Sequence, residues 1–342
     1  MRRAIALSSI ALLVAAGTAL WYASTSPYQG FKGEVFVQFD RGERTPSIAR
    51  QLAEAGVVRS PWQFLLARAL QPSAKLQAGE YRFSGPASVR EVFSRIARGD
   101  VYYFDFTAPE GSNIFDLAKL AEAEGIATSE EFLQAASDTS AIRDLAPQAK
   151  TLEGFLFPST YRVTHATTAA DLCLLMTREF RRQWTRLSSA KQTDVNAAVT
   201  LASMVEKETS AAEERALVAS VFTNRLNKPM RLDCDPTTIY AALLENRYRG
   251  AIHRSDLDRR NPYNTYQSEG LPPGPIANPG AAAIEAALHP AETDYLYFVA
   301  RPGGGGHVFS ATLAAHQRAV ESYRHGAQSK GAAATKPARK AG

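Results

Sequence analysis

The segment LASMVEKETS, residues 201–210, governs how the second half of this 342-residue chain is interpreted. Together with the residues before it, it repeats apolar side chains at the three- and four-residue spacing of a helix with one buried face: Val195, Ala198, Val199, Ala202 and Val205. Glu206 falls in the same stripe, whereas Glu208 and Glu213 point to other sides and are expected to stay in water. Because burial disfavours the charged form of a carboxylate, this helical phase makes Glu206 a candidate general acid.

A glutamate on an apolar stripe also has a purely structural interpretation. It can be paired with a buried arginine, and the sequence offers Arg215 and Arg225 for that role. The helix pattern alone leaves both interpretations open.

The composition is that of a folded protein without a nucleic-acid footprint. Apolar residues make up 45% of the chain and charged residues 21%, which is ordinary for globular domains. The formal charge is +5, but six of the 39 basic residues lie in the two termini, which leaves 33 against 34 acidic residues. We therefore expect no nucleic-acid partner.

The N-terminus carries an uncharged run of 20 residues, AIALSSIALLVAAGTALWYA, from Ala4 to Ala23. As a helix it is long enough to cross roughly 30 Å of hydrocarbon. With Arg2 and Arg3 before it, the run predicts a cytoplasmic stub and single transmembrane anchor at 1–30, in the inner (plasma) membrane, with the rest of the chain in the periplasm. A cleaved signal peptide is the alternative, since small residues near Gly17 offer a cleavage site.

Residues 33–100 predict a small module of two strands and three helices. The strands are EVFVQF at 34–39 and AGEYRF at 78–83. Thr45, Ser60 and Ser88 precede helical patterns as N-caps, and Gln63 and Glu91 would complete capping boxes with the two serines. This order resembles the LysM-like modules that bind cell-wall glycan, although a plain structural spacer has the same pattern.

A larger domain is predicted at 101–325, beginning with the strand VYYFDFT at 101–107 and including a helix near 169–187. The overall class is α+β. Residues 326–342 have almost nothing to bury and are expected to form a disordered tail. Cys173 and Cys234 lack metal-ligand spacing, and their spacing does not show whether they pair.

Two further stretches carry polar and aromatic residues. Asp235, before Pro236, has the pattern of a helix N-cap. The segment 261–280 holds five prolines and three glycines around Tyr263, Asn264 and Tyr266, which suits either a stiff sugar-binding groove or a rigid structural loop.

Residues 294–316 predict a hairpin that crosses glycines 303–306. These glycines lack the lysine and helix of a phosphate-binding loop. His307 and His316 have no third ligand in view, so no metal and no cofactor are expected.

An ordered set of motifs then makes a family resemblance specific. The motifs are EGFLFPSTY (153–161), LASMVEKET (201–209), VFTNRL (221–226), MRLDCDPTTIYA (230–241), YNTY (263–266), GLPPGPIANPG (270–280) and YLYFVA…GGHVFS (295–310). Together they resemble the YceG-like family of endolytic murein transglycosylases over essentially the whole chain. The resemblance implies a YceG-like catalytic domain of mixed α/β structure, with the first glutamate of VEKET, Glu206, as the catalytic acid.

The same resemblance implies a lyase, a lytic transglycosylase that cuts the β-1,4 bond between N-acetylmuramic acid and N-acetylglucosamine within a glycan strand of peptidoglycan. Glu206 would protonate the bridging oxygen and then take the proton of the muramic 6-hydroxyl as that oxygen closes on C1, leaving a 1,6-anhydro end. Tyr263, Asn264 and Tyr266 are the expected groove residues, with Glu153 as a polar neighbour, Asp235 orienting a loop or accepting a sugar hydroxyl, and Ser310 as a weaker candidate.

Two other functions fit the same residues. A muramidase would place a water, held by Glu206 or Asp235, where the 6-hydroxyl attacks, and a membrane-tethered scaffold would bind glycan without turnover. The expected partners are peptidoglycan glycan strands and, near sites of new glycan, peptidoglycan synthases.

Overall fold

The computed structural model describes residues 2–188, 194–302 and 304–334. The chain divides into two compact units. The first comprises Met1–Asp105 and Arg162–Ala166, and the second comprises Phe106–Tyr161 and Thr167–Gly342. Helices and strands are mixed in both, as the sequence predicts.

The first unit is built on an antiparallel pair of strands covered by helices. β1 pairs with β2 in a register that runs from Val35 opposite Phe83 to Phe39 opposite Gly79. Aromatic residues of the strands and helices fill the core, including Phe39, Tyr81 and Phe93. The elements are α1 (Arg2–Thr25), β1 (Val35–Phe39), α2 (Thr45–Glu54), α3 (Pro61–Leu70), β2 (Gly79–Phe83) and α4 (Val89–Arg98).

The predicted transmembrane anchor is wrong. Within the ranges described above, no helix is long and apolar enough to cross a membrane. The N-terminal run does form α1, but hydroxyl-bearing residues interrupt its apolar surface. Thr18, Ser24 and Thr25 all donate side-chain hydrogen bonds to carbonyls of the preceding turn, which satisfies these hydroxyls without making the helix apolar.

In the second unit, helices predominate and surround α8. Two strands, β3 (Phe104–Thr107) and β4 (Thr160–Val163), each include a point at which the chain passes from one unit to the other. The remaining elements belong to the second unit: α5 (Ile114–Ala123), α6 (Ser129–Ala136), α7 (Ala169–Leu187), α8 (Val195–Glu208), α9 (Arg215–Leu226), α10 (Asp235–Leu244), α11 (Arg254–Leu257), α12 (Ala281–Leu288), β5 (Tyr297–Ala300), β6 (His307–Ser310) and α13 (Leu313–Ala334). The predicted hairpin is confirmed, because β5 and β6 pair antiparallel. The helix α13 extends past the predicted start of the tail at 326, and residues 335–342 lie outside the described ranges.

The central helix α8 is buried on every side rather than on one stripe. All residues from Val199 to Val205 are buried, including Thr200 and Ser203, whose hydroxyls donate to carbonyls of the preceding turn. It packs against α12, α9 and α10. Burial is incomplete in the first turn, residues 195–198, and in the last turn, where the glutamates lie.

Candidate active site

Glu206 lies in the last turn of α8, and its side chain is 6% exposed. Its Oε1 accepts a hydrogen bond from Nη2 of Arg215 at 3.1 Å, and its Oε2 accepts the backbone N–H of Gly280 at 3.0 Å. Arg215 begins α9, and its side chain is 12% exposed. The ion pair that the sequence left open is therefore present, and its partner is Arg215.

The N–H of Gly280 is suited to a carboxylate. Gly280 is the N-cap of α12, where backbone donors have no intrahelical acceptor and the helix dipole favours negative charge. The preceding proline-rich segment, 272–279, brings this helix end to Glu206. From the sequence, the segment 261–280 suits either a sugar-binding groove or a rigid structural loop, and its last residue, Gly280, here binds the candidate acid.

A second carboxylate, which the sequence reasoning missed, lies beside this pair. The Oε2 of Glu110 is 3.8 Å from Nη2 of Arg215, and its side chain is 54% exposed. A Cβ added at Gly280 would overlap the carboxyl group of Glu110, so the glycine permits this approach. In the sequence, Glu110 is part of the polar loop before α5, and no local pattern links it to Glu206.

Asn278 ties together the loops around Glu206. Its Oδ1 accepts the N–H groups of Gly154 and Leu156, and its Nδ2 donates to Ser112 O and to Glu153 Oε1. Its own carbonyl accepts the N–H of Gly111. Lys207, next to Glu206, donates to the Gly111 carbonyl from the other side, at 3.1 Å. These bonds fix the loop that carries Glu110.

Glu153, predicted as a polar neighbour of the site, is a buried member of this network. Its side chain accepts the N–H of Ile114 at 2.9 Å as well as the Asn278 amide. Burial raises the pKa of Glu153 to about 8, although hydrogen bonds from Ile114 and Tyr240 oppose the shift. Glu153 is thus linked through Asn278 to the segment that ends at Gly280.

Tyr263 and Glu153 both line a cavity of about 350 Å³. Tyr240, Asn196 and the Pro273–Pro275 segment complete much of its wall. The rings of Tyr240 and Tyr263 are 5.1 Å apart between centroids. An aromatic and proline wall with a few polar groups is what a sugar ring requires.

Asn264 lies inside the protein rather than in a groove. It is 1% exposed, and its Nδ2 donates to the carbonyls of Asp256, Leu257 and Arg259. Its Oδ1 accepts from Thr238 and from the N–H of Tyr266. Both the oxygen and the nitrogen of the Asn264 amide are hydrogen-bonded within the protein. Asn264 therefore affects a ligand by fixing the loop around it rather than by direct contact.

Asp235 and Tyr266 are brought together as a pair. The Tyr266 hydroxyl donates to Asp235 Oδ1 at 2.7 Å, and burial followed by this bond raises the pKa of Tyr266. Asp235 is exposed and is the first residue of α10, while Cys234 occupies the N-cap position that the sequence assigned to Asp235. Its carboxylate therefore serves Tyr266 and remains open to solvent.

Ser310 ends β6, opposite Tyr297, and is 5% exposed.

At the other end of this strand, His307 donates its backbone N–H to Glu214, and its Nδ1 lies 2.7 Å from Glu214 Oε2. Although burial acts against it, the bonds from His307 hold the pKa of Glu214 below its ordinary value. Glu214 directly precedes Arg215, so one turn of chain contacts both His307 and Glu206.

Glu208 differs from its expected position in water. It is partly buried, burial raises the pKa of its carboxyl, and Cys234 is its hydrogen-bond partner.

Cys173 and Cys234 are both free and buried, and burial raises the pKa of both thiols. The two thiols therefore do not form a bridge here.

The arrangement at Glu206 supports proton transfer. One oxygen accepts the backbone N–H at the start of α12, and the other accepts the guanidinium of Arg215. Protonated, such a group can supply a leaving oxygen with a proton; ionised, it can take one back.

The chain is similar to several known proteins. An endolytic murein transglycosylase of Bacillus subtilis is 31% identical over 311 residues, covering 85% of this chain and 85% of that protein. One of Streptococcus pneumoniae is 28% identical over 324 residues, covering 85% of this chain and 59% of that longer protein. The crystal structure of a putative YceG-like protein of Listeria monocytogenes aligns with a TM-score of 0.54 at 29% identity, covering 84% of this chain and 99% of that one.

The sequence profile of the YceG-like family matches residues 37–322. This range includes Glu206, Arg215, Glu110 and the segment that ends at Gly280. The chain therefore belongs to the YceG-like family.

Proposed function

We propose that this protein is an endolytic murein transglycosylase, a lyase that cleaves the β-1,4 bond between N-acetylmuramic acid and N-acetylglucosamine inside a peptidoglycan strand. Family membership and relatives of that name over most of the chain support the assignment. The observation that carries it is the position of Glu206, a shielded carboxylate with one oxygen on Gly280 and the other on Arg215.

In this mechanism the bridging oxygen of the substrate takes the place of Arg215 at Oε1 of Glu206. Glu206 gives its proton to that oxygen as the bond to the muramic C1 breaks, which leaves an oxocarbenium-like centre. The same carboxylate then receives the proton of the muramic 6-hydroxyl while that oxygen closes on C1. No water is consumed, and the strand ends in a 1,6-anhydro sugar.

Glu206→Gln tests this role. The amide keeps the shape of the side chain but has no acidic proton, so we expect strand cleavage to fall by at least about 10²–10⁴-fold. Cleavage is measured by chromatography and mass spectrometry of digested sacculi, and the matched control is Glu213→Gln, at an exposed glutamate of the neighbouring turn. A fully active Glu206→Gln variant would show that another residue is the acid.

The same digest identifies the reaction. Anhydro ends on new strands support the transglycosylase, because only attack by the 6-hydroxyl produces them. Reducing ends would identify a muramidase on the same fold. Unchanged strands with retained binding would identify a glycan-binding scaffold.

The proposal extends to how the protein meets its substrate. Residues 33–100, with a core of their own, are proposed as a LysM-like glycan-binding module, and the site works on the wall side of the plasma membrane, where glycan lies. Titration of full-length Glu206→Gln with chitin oligosaccharides should shift NMR signals of 33–100. Shifts confined to 106–325 would contradict the module.

Action on nascent strands, as a terminase, implies proximity to peptidoglycan synthases. Cross-linked complexes recovered from growing cells should then contain a synthase. Their absence, with the protein itself recovered, would contradict that association. Protease accessibility in permeabilised and intact cells checks the compartment.

A further inference from the structure

Two carboxylates of the second unit share one arginine nitrogen. Nη2 of Arg215 is 3.1 Å from Oε1 of Glu206 and 3.8 Å from Oε2 of Glu110. The two carboxylate oxygens are therefore at most about 6.9 Å apart. Carboxyl groups that flank a scissile glycosidic bond in glycosidases are roughly 5–9.5 Å apart, and the upper limit for this pair lies within that range.

Gly280 is a second neighbour that the two carboxylates share. Its N–H binds Glu206, and the space where any other residue would carry a Cβ is taken by the carboxyl group of Glu110. Two separate contacts, at Arg215 and at Gly280, thus place the same two side chains together.

The two carboxylates differ in their access to solvent. The side chain of Glu206 is 6% exposed, whereas that of Glu110 is 54% exposed. Glu206 is shielded from water, whereas Glu110 lies on a side that is open to solvent. The environments suit an acid on one side and a charge stabiliser on the other.

We propose that Glu110 is a second catalytic residue of this site. It faces the sugar carbon on which positive charge develops, and it keeps Arg215 paired while Glu206 carries the proton. This inference rests on the proposed function and adds a named group to it.

The proton and bond changes of the reaction stay as described above. The proton leaves Glu206 for the bridging oxygen, the bond between that oxygen and C1 breaks, and positive charge spreads over C1 and the ring oxygen. Glu110 stabilises this charge through space and forms no bond. The 6-hydroxyl oxygen then bonds to C1, and its proton returns to Glu206.

The other carboxyl groups near α8 are occupied elsewhere. Both oxygens of Glu153 accept hydrogen bonds from Ile114 and Asn278 inside the protein. Glu208 is bonded to Cys234, and Glu214 to His307. Among the described residues, Glu110 is the acidic side chain that shares Arg215 with Glu206.

Glu110→Gln tests the proposal on purified glycan strands. Because the amide is the same size and neutral, we expect kcat to fall by about 10²-fold or more, the effect of losing one electrostatic group in an active site, with KM changed far less. Glu110→Asp keeps the charge on a shorter chain and should recover part of the lost kcat. Glu213→Gln, at an exposed glutamate, is the control and should match the wild type.

Three outcomes would overturn the role of Glu110. They are a Glu110→Gln variant with kcat within about twofold of the wild type, a variant in which only KM rises, and an aspartate variant no more active than the glutamine one. Far-ultraviolet circular dichroism confirms that the variants are folded. The kind of strand end tests the proposed function separately, since the wild type reports it whether or not Glu110 contributes to kcat.

Discussion

At the scale of single residues, Glu153 links the site to the stability of the fold. Its pKa is raised to about 8 by burial, while an unfolded chain has a glutamate pKa of about 4.3. Between these two pH values the folded protein binds more protons at this position than the unfolded one. The contribution of Glu153 to stability is therefore greatest below about pH 4 and is lost as the pH rises towards 8.

Glu153→Gln should remove this dependence. The quantity to compare is the free energy of unfolding of the wild type minus that of the variant. We expect this difference to fall by an amount on the order of a few kcal/mol from pH 5 to pH 8. Denaturant unfolding at the two pH values measures it.

Glu245→Gln is the matched control. Hydrogen bonds from Asn261 and Arg247 lower the pKa of Glu245 to about 2, so its contribution is already complete at pH 5. The difference between wild type and this variant should be the same at both pH values. A pH-independent difference for Glu153→Gln as well would mean that Glu153 is ionised throughout.

Residue patterns in the sequence located Glu206 but not its surroundings. The three- and four-residue spacing placed it among buried side chains, which is confirmed. The same spacing predicted that Glu208 is solvated, which is wrong, because α8 is enclosed by other elements through Val199–Val205 and Glu208 is partly buried beside Cys234. The spacing describes one helix, whereas burial depends on what surrounds it.

At the scale of elements, capping shows where local sequence decides structure. Ser88 and Glu91 form the predicted capping box at the start of α4: Glu91 Oε2 accepts the N–H of Ser88 at 2.7 Å, and Ser88 Oγ accepts the N–H of Glu91 at 3.3 Å. Ser60 is the N-cap of α3, but its side chain makes no cap hydrogen bond. Gln63, the expected partner, donates instead to the carbonyl of Ala23.

The two serines therefore predict different mutational effects. Ser88→Ala should lower the free energy of unfolding by about 1 kcal/mol, because it leaves a backbone donor of α4 without its acceptor. Ser60→Ala should change it by less than half as much. Denaturant unfolding followed by circular dichroism measures both, and equal losses would mean that the side-chain bond contributes nothing.

Some element limits match the prediction, whereas the predicted N-caps Thr45 and Asp235 are each the first residue of their helix. The helix 169–187 and the hairpin strands match closely because their signals are local. Asp235 was expected as an N-cap, yet Cys234 takes that place. The backbone N–H of Cys234 donates to the Thr265 hydroxyl, a contact from the 261–280 segment that the local pattern does not contain.

At the scale of the whole molecule, Gly154 holds distant segments together. It has a φ of +85°, and a Cβ there would overlap the ring of Pro275 and lie 2.9 Å from Val199 Cγ1. Its N–H donates to Asn278, so the glycine joins the 153–161 segment both to α8 and to the loop that ends at Gly280.

Gly154→Ala should therefore destabilise the protein by about 2–5 kcal/mol, through backbone strain and overpacking together. Gly270→Ala is the control, since Gly270 has a similar φ of +81° with open space around it, and should cost only about 1–2 kcal/mol. Thermal and denaturant unfolding give both values. Equal losses would assign the whole effect to backbone strain.

The sequence by itself determined the helices with clear caps, the hairpin and the order of motifs that indicates the family. Each of these depends on residues a few positions apart, where spacing, caps and turns act. Only the tertiary structure decided that Glu206 is paired with Arg215, that Glu110 shares that arginine, and that Asn264 points inward. Those contacts join loops far apart along the chain, and they form because packing around α8 brings helix ends and glycines close enough for side chains to meet.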